Sequence, residues 1–443
     1  MNTNPARGMR DFLPDDVRRR QYVMSVIADV YQRYGFEPLE TPAVENIETL
    51  MGKYGEEGDR LIFRILKRGE EGKTGEADLA LRYDLTVPLA RVVAEYRERL
   101  PKFFKRYQVQ PVWRADRPQK GRFREFYQCD VDAIGSTSLV VEAELLGAAA
   151  EVLERLGFSA FTIRLNHRKA LGGLLEAAGV AVAKHGEALI TLDKLDKVGP
   201  DGVTAELASR ALLAEADAAN LVQLFATGGA ATNDDVLRRL RTDMKGHEAG
   251  LRGVSELEDI VRLSDASRAR GRIRLDPSLA RGLSYYTGSI FEIAVPDLTG
   301  SLGGGGRYDE LVGMFLGSQV AACGISLGLE RILVVMNARG MFPPVVGATA
   351  AQVMVTIWNA DTVADAIRLA GELRTAGLRV DVYPDTDKIG KQVKYADSRG
   401  IRFVTIVGTD ETTRGEVAVK NLSTGEQQLM PRADVATFIR KHG

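Results

Sequence analysis

Two alternating stretches on either side of a basic turn place the strongest constraint on how this 443-residue chain folds. Residues 108–113 and 123–134 alternate as β-strands do, and residues 116–121 between them have proline and glycine in turn positions. The pattern predicts an antiparallel hairpin.

The hairpin is strongly basic. Residues 102–124 contain eight cations, and Asp116 is the only acid in this stretch. Aromatic side chains are interleaved with the cations, among them Phe103, Tyr107, Trp113 and Phe123. Basic and aromatic residues in alternation suit a nucleotide or a polyanion better than a solvated sheet edge, so we expect a ligand here.

The returning strand has a polar face. Because successive side chains of a strand point to opposite faces, Phe126, Gln128, Asp130 and Asp132 are expected on the same side. An amide and two acids are unusual in a core. This face therefore predicts the wall of a polar pocket.

A second stretch with ligand-binding features begins at Arg281. It continues through Tyr285 and Tyr286 into the alternating residues 290–294, and four glycines follow at 303–306. The arginine offers a fork of donors for phosphate or carboxylate, and the tyrosines offer flat walls with hydroxyl tips. The glycines would admit a ligand close to the backbone, or simply form a bulge and a turn. The spacing alone leaves both interpretations open.

Two further junctions carry polar residues. Asp84 and Thr86 precede a helical pattern, where they would cap the helix or hold an ammonium group. Glu330 and Arg331 follow a glycine-containing stretch, 324–328, at the start of another helix. A buried arginine at such a junction needs a partner, and a phosphate or an internal carboxylate would serve.

The composition and the spacing of apolar residues change along the chain. An amphipathic helix ending at Gly35 is followed by an extended, proline-containing segment, 36–44. Residues 166–270 are rich in alanine and leucine at helical spacing and predict a helical insertion. After a linker with Gly340 and two prolines, the pattern predicts an α/β domain of about a hundred residues.

Composition excludes several classes of protein. No apolar run reaches the ~18 residues of a membrane span, and the first residues do not have a signal-peptide pattern. Cys129 and Cys323 lie far apart and indicate no disulfide framework, which favours a reducing cytoplasm. The four histidines are scattered and form no zinc signature.

Taken in order, these segments resemble the class II aminoacyl-tRNA synthetases, and specifically the histidyl-tRNA synthetase family. The helix and strand up to Pro42 look like motif 1, the hairpin from Arg114 to Gln128 looks like motif 2, and 324–331 looks like motif 3. The stretches 281–288 and 304–309 look like the two signatures that distinguish the histidyl enzymes.

The resemblance implies an α+β fold, in which helices flank an antiparallel sheet. It implies a catalytic core in two parts, 1–165 and 271–336, and a helical insertion at 166–270. A linker at 337–350 would lead to an anticodon-binding α/β domain at 351–443.

The implied activity is ligation of L-histidine to tRNA(His) through a histidyl-adenylate made from ATP. Arg281 and Arg114 would be catalytic, and both would also contact the substrate histidine. The other residues implied for histidine are Asp84, Thr86, Gln128, Asp132, Tyr285, Tyr286 and Tyr308.

ATP would bind to Arg114, Arg122, Phe126, Glu330 and Arg331. Mg²⁺ would arrive with ATP, with Glu330 as a further ligand. The tRNA acceptor end would meet the hairpin tip at Arg117, Lys120 and Arg122. The resemblance also implies a cytoplasmic homodimer with no membrane attachment.

Overall fold

The predicted hairpin lies within an eight-stranded sheet in the computed structural model of the chain. The structure describes residues 1–119, 121–225, 231–280, 285–296, 298–347 and 351–442. The chain divides into two units, Met1–Phe342 and Pro343–Gly443.

The strands of the first unit are β1 (Glu37–Pro38), β2 (Val44–Asn46), β3 (Arg64–Leu66), β4 (Ala77–Leu81), β5 (Phe104–Trp113), β6 (Glu125–Ile134), β7 (Thr162–His167), β8 (Ile273–Leu275), β9 (Ser289–Ala294), β10 (Ser301–Arg307) and β11 (Ala322–Gly328). Its helices are α1 (Pro14–Arg33), α2 (Ile47–Leu50), α3 (Gly55–Arg60), α4 (Glu70–Lys73), α5 (Thr86–Glu95), α6 (Val140–Arg155), α7 (Arg168–Ala177), α8 (His185–Leu192), α9 (Leu195–Ser209), α10 (Glu215–Phe225), α11 (Asn233–Asp243), α12 (Glu248–Ser264), α13 (Gly313–Leu316) and α14 (Leu329–Ala338).

The large sheet has the strand order β1-β5-β6-β11-β10-β9-β7-β8. Its outermost pairs, β1 with β5 and β7 with β8, are parallel, and the five pairs between them are antiparallel. A smaller antiparallel sheet has the order β2-β4-β3. The antiparallel sheet flanked by helices that the resemblance implied is confirmed.

Helix α1 shows how the sequence covers this sheet. Pro14 occupies the first helical turn, where its missing N–H costs nothing, and Gly35 lies just beyond the end with φ +75°. Val23, Ile27 and Val30 recur on one face and are fully buried in the same apolar cluster as residues of β6. Burying each such side chain contributes about 1.5–3 kcal/mol, so this face holds α1 against the sheet.

The hairpin has the predicted form. β5 and β6 pair from Phe104–Ile134 to Trp113–Glu125, and the register places Arg106 opposite Asp132. The four glycines at 303–306 do not form a turn. They lie inside strand β10, paired with β9 and β11 on either side. A Cβ on Gly305 would lie 2.0 Å from the carbonyl oxygen of Gly324, so this close strand pairing requires glycine.

The segment predicted as a helical insertion contains α7 to α12 and belongs to the first unit. It connects β7 to β8, and these neighbouring strands are parallel. Within the described part of the chain, no helix has the length and apolar content needed to cross a membrane.

The second unit is an α/β domain. Its strands are β12 (Val353–Val355), β13 (Val380–Val382), β14 (Phe403–Ile406), β15 (Glu416–Asn421) and β16 (Gln427–Pro431), in the order β13-β12-β14-β15-β16. Its helices are α15 (Pro344–Gly347), α16 (Val363–Thr375), α17 (Ile389–Ser398), α18 (Thr409–Arg414) and α19 (Val435–His442). The division at 342 and 343 lies inside the predicted linker; the domain limits set out from the sequence otherwise stay predictions.

Candidate functional site

A cavity of about 360 Å³ lies over strands β6, β10 and β11. It is lined by twelve of the residues proposed from the sequence: Asp84, Thr86, Arg114, Arg122, Phe126, Gln128, Asp132, Tyr285, Tyr286, Tyr308, Glu330 and Arg331. Residues distant in sequence thus meet around a single space of ligand size.

The predicted polar face of β6 forms one wall of this cavity. Phe126, Gln128, Asp130 and Asp132 all line it, as their alternation required. Nε2 of Gln128 donates to Oγ of Ser326 over 2.9 Å, whereas its Oε1 is buried without a hydrogen-bond partner among the described residues. A buried acceptor of this kind is costly unless a ligand supplies a donor.

Asp84, which was predicted to contact the substrate histidine, also stabilises the start of a helix. Its Oδ1 accepts the N–H of Val87 in the first turn of α5, at 3.0 Å, so it caps that helix. The hydroxyls of Tyr54 and Tyr285 also donate to this carboxylate, over 3.0 and 3.3 Å. Burial raises the pKa of Asp84, and these donors together with Arg114 oppose the rise.

Asp132 is held from two directions. The hydroxyl of Tyr308 donates to its Oδ1, and Nη2 of Arg106 lies 2.9 Å from its Oδ2. Burial raises the pKa of Asp132, while the charge of Arg106 and the Tyr308 hydroxyl lower it. Gly324 makes room for this arrangement, because a Cβ there would lie 1.8 Å from Oδ1 of Asp132.

Asp130 is the second acid beneath the cavity. It is 2% exposed, and its Oδ2 lies 3.9 Å from Nη2 of Arg106. Burial raises its pKa to about 7, with Arg106 acting against the rise and Asp132 adding to it. Together, Asp84, Asp130, Asp132, Tyr285 and Tyr308 form what we call the carboxylate side of the cavity.

Three tyrosines enclose the carboxylate side. The ring of Tyr285 meets those of Tyr286 and Tyr308 edge to face, with centroids 4.9 and 5.9 Å apart. Burial raises the pKa of all three hydroxyls, so they remain protonated donors. This side therefore offers flat walls and fixed donors and acceptors to a small planar ligand.

Arg114 is held beside aromatic rings. Its Nε donates to the carbonyl oxygen of Tyr83 over 3.0 Å, and its guanidinium lies 4.3 Å from the Tyr83 ring and 5.2 Å from the Phe126 ring. These contacts fix the guanidinium at the cavity wall.

A second group of charges, which we call the arginine side, consists of Asp116, Arg122 and Arg331. Arg122 binds Asp116 through two parallel contacts of 3.0 and 2.9 Å. Nη1 of Arg331 donates to the carbonyl oxygen of Ser301 over 2.6 Å. A Cβ on Gly121 would lie 3.8 Å from Cγ of Arg331, so the hairpin turn reaches the start of α14.

Glu330 is engaged within the protein. Its Oε1 accepts from Nη1 of Arg20 at 2.9 Å, and its Oε2 accepts the N–H of Tyr127 at 3.0 Å. This carboxylate thus joins α14 to α1 and β6. Among the described residues, no three carboxylate, histidine or cysteine side chains are arranged to hold a metal ion.

Three predicted residues remain, and Arg117 is the one of these that the structure describes. Arg117 is exposed and does not line the cavity. Lys120 and Arg281 lie outside the described residues.

Arg106 is a residue whose position the sequence analysis missed. It was counted among the cations of a basic ligand-binding hairpin, but its side chain is fully buried. Alternation along β5 and its register opposite Asp132 could have revealed this, because a cation paired across a hairpin with an acid on the pocket face belongs beneath the pocket. Tyr54, which donates to Asp84, gave no signal in the sequence.

Comparison with known proteins matches both units. A family model described as histidyl-tRNA synthetase matches residues 8–332, and a model described as an anticodon binding domain matches residues 352–442. The residues that line the cavity all lie within the first match.

Two curated relatives are similar over nearly their whole length. A histidine–tRNA ligase of Gloeobacter violaceus is 43% identical over 98% of this chain and 97% of its own. One of Bacteroides fragilis is 42% identical over 98% of each chain. A crystal structure of histidyl-tRNA synthetase from Nostoc covers 100% of both chains with a TM-score of 0.83 and 33% identity.

Proposed function

The chain belongs to the histidyl-tRNA synthetase family, and from this premise we propose that its cavity activates L-histidine with ATP before the histidine is joined to tRNA(His). The family's members are ATP-dependent ligases that form aminoacyl-tRNA. In this proposal, side chains at the cavity and the hairpin tip carry out the steps of that activity.

The observation that carries the proposal is a group of buried acceptors at the cavity, of which Oε1 of Gln128 has no hydrogen-bond partner among the described residues. Asp84, Asp132 and the unpartnered Oε1 of Gln128 face a cavity walled by tyrosine rings. Free histidine brings an α-ammonium group and a planar ring with N–H donors. Because buried acceptors are left unsatisfied by an amino acid without those donors, such a site discriminates strongly.

We assign the ammonium group to Asp84 and Thr86, with Gln128 assisting. The imidazole ring lies with Asp132, Tyr285, Tyr286 and Tyr308 in this assignment. Their burial and mutual contacts support it, since side chains fixed before the ligand arrives lose little freedom on binding.

In the first step a carboxylate oxygen of histidine attacks the α-phosphorus of ATP. An O–P bond forms, the bond from the α-phosphorus to the bridging oxygen breaks, and pyrophosphate leaves. Arg114 holds the α-phosphate and the histidine carboxylate, and its fixed position beside Tyr83 supports this role. Arg281 stabilises the charge that develops at phosphorus; it lies outside the described residues, so this role stays a prediction.

Phe126 would stack beneath adenine, and Arg122 and Arg331 would bind the phosphates. In the second step a ribose hydroxyl at the 3′ end of tRNA attacks the histidyl carbonyl carbon, and AMP leaves. Arg117, Lys120 and Arg122 at the hairpin tip would meet the acceptor end. The second unit would bind the anticodon, as its family match suggests.

Mg²⁺ would neutralise charge on the ATP phosphates. In this proposal the ion would be held mainly by phosphate oxygens and water, as Mg²⁺ usually is at nucleotide sites. Glu330 lines the cavity, but its two oxygens already accept from Arg20 and Tyr127. Each of these oxygens keeps one further lone pair, which Glu330 would offer to the ion.

We further propose that the chain acts as a homodimer in the cytoplasm. Motif 1 resemblance in α1 and β1 supports the dimer. Cys129 and Cys323 are buried free thiols, in keeping with a reducing compartment. Sedimentation equilibrium would test the dimer, and a mass of one chain at micromolar concentration would contradict it.

The proposed activity is tested by exchange of labelled pyrophosphate into ATP, with each amino acid supplied separately. We expect exchange with histidine alone, followed by charging of tRNA(His). Exchange with another amino acid would keep the fold and overturn the assignment of Asp132, Tyr285 and Tyr286. A folded sample without exchange would instead favour a regulatory role for this family fold.

A further inference from the structure

A buried arginine beneath the cavity has no part in the proposed chemical steps. Arg106 on β5 is 0% exposed and does not line the cavity, yet two acids of the neighbouring strand, Asp130 and Asp132, lie close to it. Its Nη2 lies 2.9 Å from Asp132 and 3.9 Å from Asp130. Removing a charge from water is costly, so a fully buried guanidinium needs a specific compensating role.

The same guanidinium reaches the other part of the amino acid site. Nη2 of Arg106 donates to the carbonyl oxygen of Leu85 over 3.3 Å, and Leu85 stands between Asp84 and Thr86. Arg106 therefore joins the loop assigned to the ammonium group with the acid assigned to the imidazole ring. A contact to the loop alone, or to Asp132 alone, would not fix the position of one relative to the other.

The guanidinium of Arg106 is also held by polar side chains other than the two acids. Its Nη1 donates to Oε1 of Gln108 over 3.1 Å, and Nε2 of Gln108 donates to Oγ1 of Thr41 over 3.0 Å. With these contacts on one side and Asp132 on the other, the planar fork has a fixed orientation. The guanidinium is thus a rigid connection rather than a mobile surface charge.

We propose that Arg106 is a positioning residue for histidine recognition: it acts through Asp132, keeping that carboxylate charged and aimed at the substrate ring, and it fixes the Asp84–Thr86 loop through Leu85. This inference rests on the proposed function of the cavity. Without Arg106, Asp130 and Asp132 would share a buried site with no counter-charge. Asp132 would then bind a proton and lose its strength as an acceptor.

The test compares Arg106→Met, Arg106→Lys, Asp132→Asn and the double variant Arg106→Met with Asp132→Asn. Pyrophosphate exchange gives KM for histidine, KM for ATP and kcat for each. Arg106→Met should raise KM for histidine on the order of 10- to 100-fold and leave KM for ATP within about twofold. Arg106→Lys keeps the charge without the fork and should lie between wild type and Arg106→Met.

The double variant decides whether Arg106 acts through Asp132. If it does, KM for histidine in the double variant should lie well below the product of the two single effects, and any rise above Asp132→Asn alone should come from the lost contact to Leu85. Effects of the two single changes that multiply in the double variant would overturn the inference. Should Arg106→Met fail to fold, Arg106→Lys, alone and combined with Asp132→Asn, gives the same comparison, because it keeps a cation beside the buried acids.

Arg91→Met is the matched control. Arg91 donates to the two carboxylate oxygens of the buried Glu45 over 2.9 and 2.8 Å, and neither residue lines the cavity. It should lower the melting temperature and leave the ratio of the two KM values unchanged. An Arg106→Met variant that behaves like this control would reduce Arg106 to a structural role. Absence of histidine-dependent exchange in the wild type would instead refute the proposed function itself.

Discussion

On the carboxylate side of the cavity, Asp84 and Asp132 are both buried and held by the protein before any ligand arrives: Asp84 accepts three hydrogen bonds, and Asp132 accepts one from Tyr308 and pairs with Arg106. On the arginine side, the side chain of Arg122 is 47% exposed. It pairs with Asp116, which belongs to the same hairpin. Burying the acids destabilises the folded state but fixes the positions of their oxygens. Arg122, in contrast, keeps its charge in contact with water.

This difference matches the demands of the two substrates. Recognising one amino acid among many needs acceptors at fixed positions, since the discrimination comes from leaving buried partners unsatisfied. Binding a triphosphate needs positive charge within reach, and the half-exposed guanidinium of Arg122 can turn from Asp116 towards a phosphate. Changes on the two sides should therefore separate histidine binding from ATP binding.

The largest effect is expected at Arg114, which the proposal assigns to both substrates. Arg114→Ala removes the cation at the α-phosphate and should lower kcat for pyrophosphate exchange by on the order of 10³-fold. Arg97→Ala, an exposed arginine away from the cavity, serves as control and should exchange like the wild type. An Arg114→Ala variant within tenfold of wild type would contradict the role given to Arg114.

A smaller and more selective effect is expected at Asp84. Asp84→Asn keeps an oxygen for the N–H of Val87 but removes the charge that holds the ammonium group. KM for histidine should rise about 10- to 100-fold, while KM for ATP stays within about twofold. Asp78→Asn, the same change at an exposed position of β4, should alter neither value. A parallel rise of both KM values would erase the distinction between the two sides.

The arginine side should give the weakest kinetic effect. Arg122→Ala should raise KM for ATP about three- to tenfold with KM for histidine unchanged, because Arg122 gives up its pair with Asp116 when it binds phosphate. Steady-state exchange at two ionic strengths measures this, and the difference from wild type should shrink as salt rises. A rise in KM for histidine alone would show that the sides are assigned the wrong way round.

The same contrast explains what the sequence predicted. Alternation in β6 placed Phe126, Gln128 and Asp132 on one wall correctly, since the period of a strand is fixed by its backbone. The hairpin and the α/β domain were recognisable for the same reason. The contribution of β10 was not, because four glycines fit a turn as readily as a strand until the neighbouring strands are known.

Burial of charge was the harder problem. Arg106 and Arg122 belong to the same basic stretch, yet one is fully buried beneath the cavity and the other is exposed at the turn. Only the pairing of β5 with β6 distinguishes them. Composition identifies a charged hairpin, but a charge's function depends on contacts made across the sheet.

The last and smallest effect concerns stability. It tests whether ionised acids on the carboxylate side lower the free energy of unfolding. The pKa of Asp130 is raised to about 7 in the folded protein, against about 3.9 when unfolded. Between these values the folded state keeps the proton that the unfolded state has released. Its stability contribution therefore falls as pH rises from about 4 to about 7, and is constant above.

Asp130→Asn removes this titration. The melting temperature of the variant relative to wild type should therefore increase between pH 5 and pH 7 and level off by pH 8. The charged or titratable groups acting on Asp130 are Arg106, Asp132 and Asp84, and all three remain in the variant. Asp78→Asn should show a difference that does not depend on pH. A flat difference for Asp130→Asn as well would mean that Arg106 already compensates both acids, and that the carboxylate side keeps its charges without loss of stability.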